Sequence, residues 1–407
     1  MSAPRFILYS HDGCGLGHLR RNLAIAAALT GEAPGASVVL LTGCIELGAQ
    51  GLARNVEIVS LPSLKKLGNG RYGARRLPIS PTMLGAVRAG LITAAVESFR
   101  PDVLLIDKHP MGVRGELRPA LQSLPEWGGR AVLGLRDILD DPATVREEWS
   151  DDGVVEFTEA HCEALLIYGN PHVFDFVGEY GLPASLARRA RHCGYVVNPN
   201  AAPRPALASA FARRPRVLAT AGGGEDGRRL LETFAQAARV AEWDAVMVAG
   251  PQSSPADQGA LQRMAADAGV AFHASVSNLP ELLPHVDALV SMGGYNTLSE
   301  ALSLGTPTLC VPRAHPRREQ LIRARSFANL NLLRLVEPER LRPELLRAEV
   351  TTLLGTDRRE LARRAHAALG FGGAQAAGKA LLELAADAPP AGTPIWPAAR
   401  TPALTAL

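Results

Sequence analysis

At 407 residues the chain exceeds the size at which a single hydrophobic core stops growing, so two domains are expected. Its composition, 47% apolar and 20% charged with no uninterrupted run of ~18 apolar residues, excludes a transmembrane segment, and a net charge of +3 spread along the chain excludes a nucleic-acid partner. Five scattered cysteines (Cys14, Cys44, Cys162, Cys193, Cys310) without a CxxC pair exclude a disulfide framework and a zinc site, and fit a reducing cytoplasm.

The opening MSAPRFILYSHDG has one short apolar run, Phe6–Ser10, that leads into a glycine turn and reads as a first strand, not a secretion signal. Further strands are predicted at Ser37–Thr42, Glu57–Leu61, Val103–Ile106, Ala131–Leu135 and Ala164–Ile167, separated by amphipathic stretches such as Arg20–Leu29 and Met83–Phe99. A Pro/Ala-rich stretch from Val197 to Pro205 breaks the alternation and reads as an interdomain linker. A second series follows, at Val217–Thr220, Ala245–Val248, Val270–His273, Ala288–Ser291, Thr308–Val311 and Leu332–Val336. Alternating strands and helices imply parallel sheets with crossover helices, hence an α/β chain of two Rossmann-like doubly wound domains. The expected division is residues 1–197, a linker 198–215, residues 216–386, and a proline-rich tail 387–407 that cannot join a core.

The chemistry-bearing residues fall at predicted carboxyl ends of strands, where open α/β sheets bind ligands. After the first strand come His11, Asp12, Gly15, Gly17 and His18, then a helix. This loop has the glycines of a dinucleotide fingerprint, but His18 takes the third glycine position and no acidic residue follows ~20 residues on, since Glu46 belongs to a later turn. A nicotinamide dehydrogenase is therefore disfavoured. Asp107 ends the strand Val103–Ile106, and Arg136 and Asp137 follow the strand Ala131–Leu135. The stretch Leu64–Arg76, with Lys65, Lys66, Arg71, Arg75 and Arg76 among glycines, reads either as a solvated surface loop or as a mobile lid that attracts an acidic or lipid-phosphate acceptor. No aromatic belt accompanies it, which favours a soluble acceptor and leaves peripheral membrane contact open.

In the second half, Gly222, Gly223 and Gly224 follow a strand and precede a helix, leaving backbone donors open to a diphosphate or a sugar. The stretch Ser291–Gln320 is the most informative. A strand runs into Gly293 and Gly294, a helix starts near Tyr295, Asn296 and Thr297 and carries Glu300 one turn in, and His315, Glu319 and Gln320 lie past the next strand. The free N–H groups and dipole at the helix start suit a phosphate, and a carboxylate one turn in can hold two ribose hydroxyls. No carboxylate cluster is placed to bridge a metal to a diphosphate, so neither cofactor nor metal is expected.

The pattern Gly293-Gly294-x-x-Thr297-x-x-Glu300-Ala301 with Gly305-x-Pro307, followed by His315 and Glu319-Gln320, resembles the donor site of GT-B glycosyltransferases, especially the family of the lipid II-forming N-acetylglucosaminyltransferase of peptidoglycan synthesis. Gly15-Leu16-Gly17-His18 is similar to that family's glycine-rich, His-containing turn. Asn278 and Leu279 lie in a loop that, by the same resemblance, has the place where a backbone reads the nucleobase. The resemblance implies two facing domains, an inverting transfer from a nucleotide sugar, uracil as the commonest base, and a small-molecule acceptor in specialised-metabolite or cell-envelope synthesis. It implies that His18 is the base, supported by Asp107, that Glu300 holds ribose, and that His315, Glu319 and Gln320 grade the sugar. His11, Asp12, Arg136 and Asp137 are competitors or acceptor contacts. The chain departs from the family at Arg313-Ala-His315-Pro-Arg317-Arg318 and at Asp107-Lys108-His109-Pro110, so the same acceptor does not follow. A nucleotide-sugar 2-epimerase and a non-catalytic nucleotide-sugar-binding protein are the rival readings.

Overall fold

A computed structural model describes residues 3–11, 17–44, 52–68, 71–197, 215–224, 226–276 and 279–387. Asp12, Gly15, Asn278, nearly all of the 198–215 linker and the tail beyond Asp387 lie outside the described residues.

The first sheet has strands β1 (Arg5–Ser10), β2 (Ser37–Thr42) and β3 (Val56–Ser60); after a separate hairpin of β4 (Leu64–Gly68) and β5 (Arg71–Ala74) come β6 (Val103–Asp107), β7 (Arg130–Arg136), β8 (Cys162–Tyr168) and β9 (Ala190–His192). Its seven strands are parallel, in the order β3-β2-β1-β6-β7-β8-β9. The second sheet is also parallel, with β10 (Arg216–Thr220), β11 (Asp244–Val248), β12 (Ala271–His273), β13 (Ala288–Ser291), β14 (Thr308–Cys310) and β15 (Arg334–Leu335) in the order β12-β11-β10-β13-β14-β15.

Parallel strands must be apolar on both faces, because helices cover both. In β1, Phe6 and Leu8 enter one core while Ile7 and Tyr9 enter the other; in β10, Val217 and Ala219 part from Leu218 in the same way. Strand order reverses between β1 and β6 in one sheet and between β10 and β13 in the other. Those two switch points open at the carboxyl ends, directly below His11, His18 and Asp107 on one side and Gly222 and Gly293 on the other.

Two expectations change. The Leu64–Arg76 stretch is not a loop but the antiparallel hairpin β4–β5, pairing Lys65 with Gly73. Leu64 packs with Leu84 and Val113 beneath it, and the helix Pro81–Phe99 that carries Leu84 is started by Ser80, whose side chain accepts from the Met83 N–H at 3.2 Å. Arg88 on that helix is buried against Glu116, at 2.6 and 2.7 Å, and donates to the Pro62 carbonyl at 2.7 Å, which fastens the hairpin's base.

The other change concerns the last helix, Gly373–Ala386, expected within the second unit. It lies against the helix Gly17–Glu32 of the first. Ala374, Ala377, Leu381 and Leu384 recur at helical spacing and close the same core as Phe6, Leu8 and Leu29.

Candidate functional site

The helix Gly17–Glu32 begins just past β1 and presents His18 and Arg21, three residues apart, on one face. Both turn toward Asp107, the last residue of β6, whose register partner is Ser10 at the end of β1. Arg21 donates to both Asp107 oxygens at 2.7 and 2.6 Å, and His18 Nδ1 stands 3.1 Å from Asp107 Oδ2 and 2.9 Å from the same guanidinium. Nδ1 donating to the carboxylate leaves Nε2 free to accept a proton, whereas Nδ1 accepting from Arg21 would put the ring's proton on Nε2. Asp107 is fully buried. Burial opposes its charge most, but Arg21 and then His18 overcome it and hold the carboxyl well below the usual range.

His11 does not reach the cleft. Its ring packs 5.0 Å from that of His18 and 4.8 Å from that of His109, with Tyr72 of the hairpin 6.3 Å away. Burial foremost, then His109 and His18, push its pKa well below the usual histidine value, so it is neutral. Among the described residues, no group of three histidine, cysteine or acidic side chains is arranged to hold a metal ion.

A cavity of about 260 Å³ opens between the sheets, lined from the first domain by Gly17, His18, Arg20, Arg21 and Arg136, and from the second by Gly222, Gly223, Leu279, Gly294, Tyr295, Asn296, Thr297 and Gln320 among others. Asn296 Nδ2 donates to the Gly17 carbonyl at 3.1 Å, so the two motif loops touch. The glycines divide by role. Gly222 and Gly294 line the cavity with open space beside them, whereas a Cβ at Gly293 would stand 2.6 Å from the Gln320 carbonyl oxygen and one at Gly224 2.6 Å from that of Ala249. Gly293 and Gly224 serve backbone packing.

The helix Tyr295–Ser303 starts at the cavity with its first N–H groups outside the helical ladder. Tyr295 turns its phenol away into the interdomain core, stacking on Tyr195 at 5.5 Å and accepting from the Val196 N–H at 2.9 Å. Glu300 lies one turn in, behind the lining. It is buried with Oε2 unpartnered; burial pushes its pKa up to about 7, against the pull of Arg20.

The three residues expected to grade the sugar separate. Gln320 lines the cavity and accepts from the Arg313 N–H at 3.1 Å. Glu319 is buried against Arg313 at 2.6 Å, and His315 is exposed and not among the residues that line the cavity. The arginines beside His315 cross the domains: Arg317 meets Asp140 at 2.9 Å and Glu148 at 2.6 Å, and Arg318 meets Asp141 at 3.2 Å.

Asp137 also departs from its expected place as an acceptor contact. It is buried under Arg323, whose guanidinium reaches it at 2.9 Å, and accepts from the Tyr195 hydroxyl at 2.7 Å. Arg323 donates in addition to the carbonyls of Gly293 and Ile138 at 3.1 and 3.2 Å. Sequence reasoning missed Arg21, Arg323 and Tyr195. The three-residue spacing of His18 and Arg21 was a usable signal for the first; the other two act from the far domain and from the segment leading into the linker.

Residues 238–380 match the glycosyltransferase family 28 C-terminal domain. The chain is 38% identical over 77 residues, 18% of its length and 22% of the relative's, to the UDP-N-acetylglucosamine--N-acetylmuramyl-(pentapeptide) pyrophosphoryl-undecaprenol N-acetylglucosamine transferase of Shouchella clausii. It is 29% identical over 116 residues, 28% and 31% of the two lengths, to the enzyme of that name from Latilactobacillus sakei. The chain thus spans about a fifth to a third of these curated relatives. Among solved structures it is similar to the spinosyn forosaminyltransferase SpnP (TM-score 0.64, 17% identity, 95% of this chain and 100% of the other) and to Acinetobacter baumannii MurG (TM-score 0.56, 16% identity, 93% and 100%). Two parallel-sheet domains facing across one cleft, matched over nearly their whole length by these structures, give the chain the GT-B fold, with a glycosyltransferase family 28 C-terminal domain at residues 238–380.

Proposed function

We propose that the chain is an inverting glycosyltransferase that moves a sugar from a nucleotide sugar, with uracil as the base, onto an acceptor hydroxyl. The observation that carries this reading is the single cavity in which His18, backed by Asp107 and Arg21, meets the open glycines and helix start of the second domain. His18 takes the acceptor's proton through Nε2 while the acceptor oxygen attacks the anomeric carbon. The backbone N–H groups near Gly222 and at the start of the Tyr295–Ser303 helix receive the departing diphosphate, so no metal is required. Glu300, one turn in, accepts from the ribose hydroxyls once ionised.

The acceptor's nature has one specific support. Met83, Val87 and Leu91, four residues apart and 56%, 42% and 44% exposed, form an apolar stripe on the helix under the basic hairpin, with Leu67 and Leu77 also exposed nearby. The expectation of a soluble acceptor rested on a missing aromatic belt; this aliphatic stripe favours a lipid-borne one, in keeping with the undecaprenol in the relatives' names.

Incubating the protein with a panel of UDP-sugars, with and without lipid-linked and soluble hydroxyl acceptors, and reading products by mass spectrometry tests both points. Transfer only with an acceptor supports the proposal. Release of an epimerised sugar from donor alone would replace it with an epimerase, and donor binding with no turnover would leave a binding protein.

A further inference from the structure

The charges around the end of β7 do not cancel. Arg21, Arg136 and Arg323 gather there, and the two carboxylates among them are already engaged, Asp107 by Arg21 and Asp137 by Arg323. Glu319, the next acid, is held by Arg313. Arg136 lines the cavity, and among the described residues its side chain has neither a hydrogen bond nor an ion pair. Burial first, then Arg323 and Arg21, work against its charge and lower its pKa, yet an arginine keeps its proton at any ordinary pH. Arg136 is only half-buried, and a cation part-removed from water without an ion pair of its own is costly to hold unless a ligand brings the missing charge.

The same cavity holds Gly222, Gly223 and the helix start at Tyr295, whose backbone donors also favour an anion. We propose that Arg136 binds the diphosphate of the nucleotide sugar from the first-domain wall. This rests on the glycosyltransferase reading and adds a side-chain cation to donor recognition, which the sequence had left to backbone groups. In the transfer, the bond from the anomeric carbon to the diphosphate oxygen breaks as the acceptor oxygen bonds to that carbon. The electron pair stays on the diphosphate, the acceptor proton goes to His18, and the diphosphate gains one negative charge facing Arg136. Arg136 belongs to the first domain while the glycine loop and helix start belong to the second, so the diphosphate would be held from both walls.

The test is calorimetric titration of the full chain and of its Arg136→Gln and Arg136→Lys variants with UDP, dTDP, UMP and uridine, beside thermal unfolding without ligand. Arg136→Gln should weaken UDP about 10- to 100-fold, the range of a lost charge-assisted bond, and leave uridine unchanged, while Arg136→Lys keeps most of the affinity. The unliganded Arg136→Gln protein should melt no lower than the parent, since it loses a half-buried cation that no carboxylate pairs. Equal UDP affinity in parent and Arg136→Gln would overturn the proposal and leave the nucleotide reading standing. A matching loss for uridine, or a lower melting point, would make Arg136 a structural residue. A parent protein that binds neither UDP nor dTDP would remove the glycosyltransferase reading and this one with it.

Discussion

Two buried carboxylates on adjacent strands of the first sheet carry almost the same local chemistry and serve different ends. Asp107 ends β6 and Asp137 follows β7; each is gripped by an arginine from a helix, and each has a ring as third partner, His18 in one case and Tyr195 in the other. Arg21 comes from the same domain as its aspartate and His18 opens to the cavity. Arg323 comes from the opposite domain, and Tyr195 is sealed, its pKa driven far up by burial and then by Asp137. A carboxylate-guanidinium pair can serve proton transfer where its third partner is an imidazole that faces a ligand space, as the proposed role of His18 requires. Elsewhere it is a fastener between domains.

The largest expected effect tests the first half of that contrast. His18→Ala should lower turnover by about 10² to 10⁴ with UDP affinity retained, and a His18→Ala protein that turns over normally while Asp107→Asn does not would reverse their roles. Next, Asp137→Asn leaves Arg323 buried without its counter-charge and should destabilise the fold by roughly 3–5 kcal/mol in urea unfolding, with turnover per folded molecule kept. If Asp137→Asn instead melts normally and loses turnover, the fastener is misidentified.

Glu300 gives a smaller, pH-dependent effect. With its pKa pushed up to about 7, the empty protein holds a proton there below that pH, and only the ionised form accepts from two hydroxyls. UDP affinity should therefore rise as pH climbs through about 7, and Glu300→Ala should weaken UDP by roughly 1.5–3 kcal/mol and flatten the profile. The sign for stability is opposite. The folded state binds more protons than the unfolded one between the ordinary carboxylate range and about 7, so this group's contribution declines as pH rises through that window. Smallest of all, exhaustive EDTA treatment should leave the rate unchanged; a rate that collapses and returns with Mg²⁺ would mean the diphosphate charge is met by a metal.

What the sequence revealed follows the same division between local and distant causes. Strands such as Ser37–Thr42 and Ala288–Ser291 were readable to the residue because burial on both faces demands continuous apolar runs. The clustering of Gly17, His18, Gly222, Asn296 and Gln320 was readable because all lie at carboxyl strand ends. The hairpin was not, since Lys65, Lys66 and Arg71 lack the alternating apolar residues of a strand and its Leu64 is held by Leu84 and Val113 farther along. Asp137 and Glu319 were expected at the site because strand-end position is visible in a sequence, whereas the Arg323 or Arg313 that pairs with each acid is not.

The chain leaves the first domain at Tyr195–Val196 and returns at Gly370–Gly373, and the two passages are laced together: Tyr195 N–H donates to the Gly370 carbonyl at 2.7 Å, Gly373 N–H to the Tyr195 carbonyl at 3.2 Å, and Val196 bridges Gly372. A Cβ at Gly194 would lie 2.4 Å from the Gly370 oxygen, so nothing bulkier fits the seam. Mechanically this is a door hung on paired pins. Sliding one passage along the other would break those bonds, so the seam fixes their register. The returning helix Gly373–Ala386 then acts as the doorpost, and a chain cut before Gly373 would lose the seam together with a wall of the first domain's core.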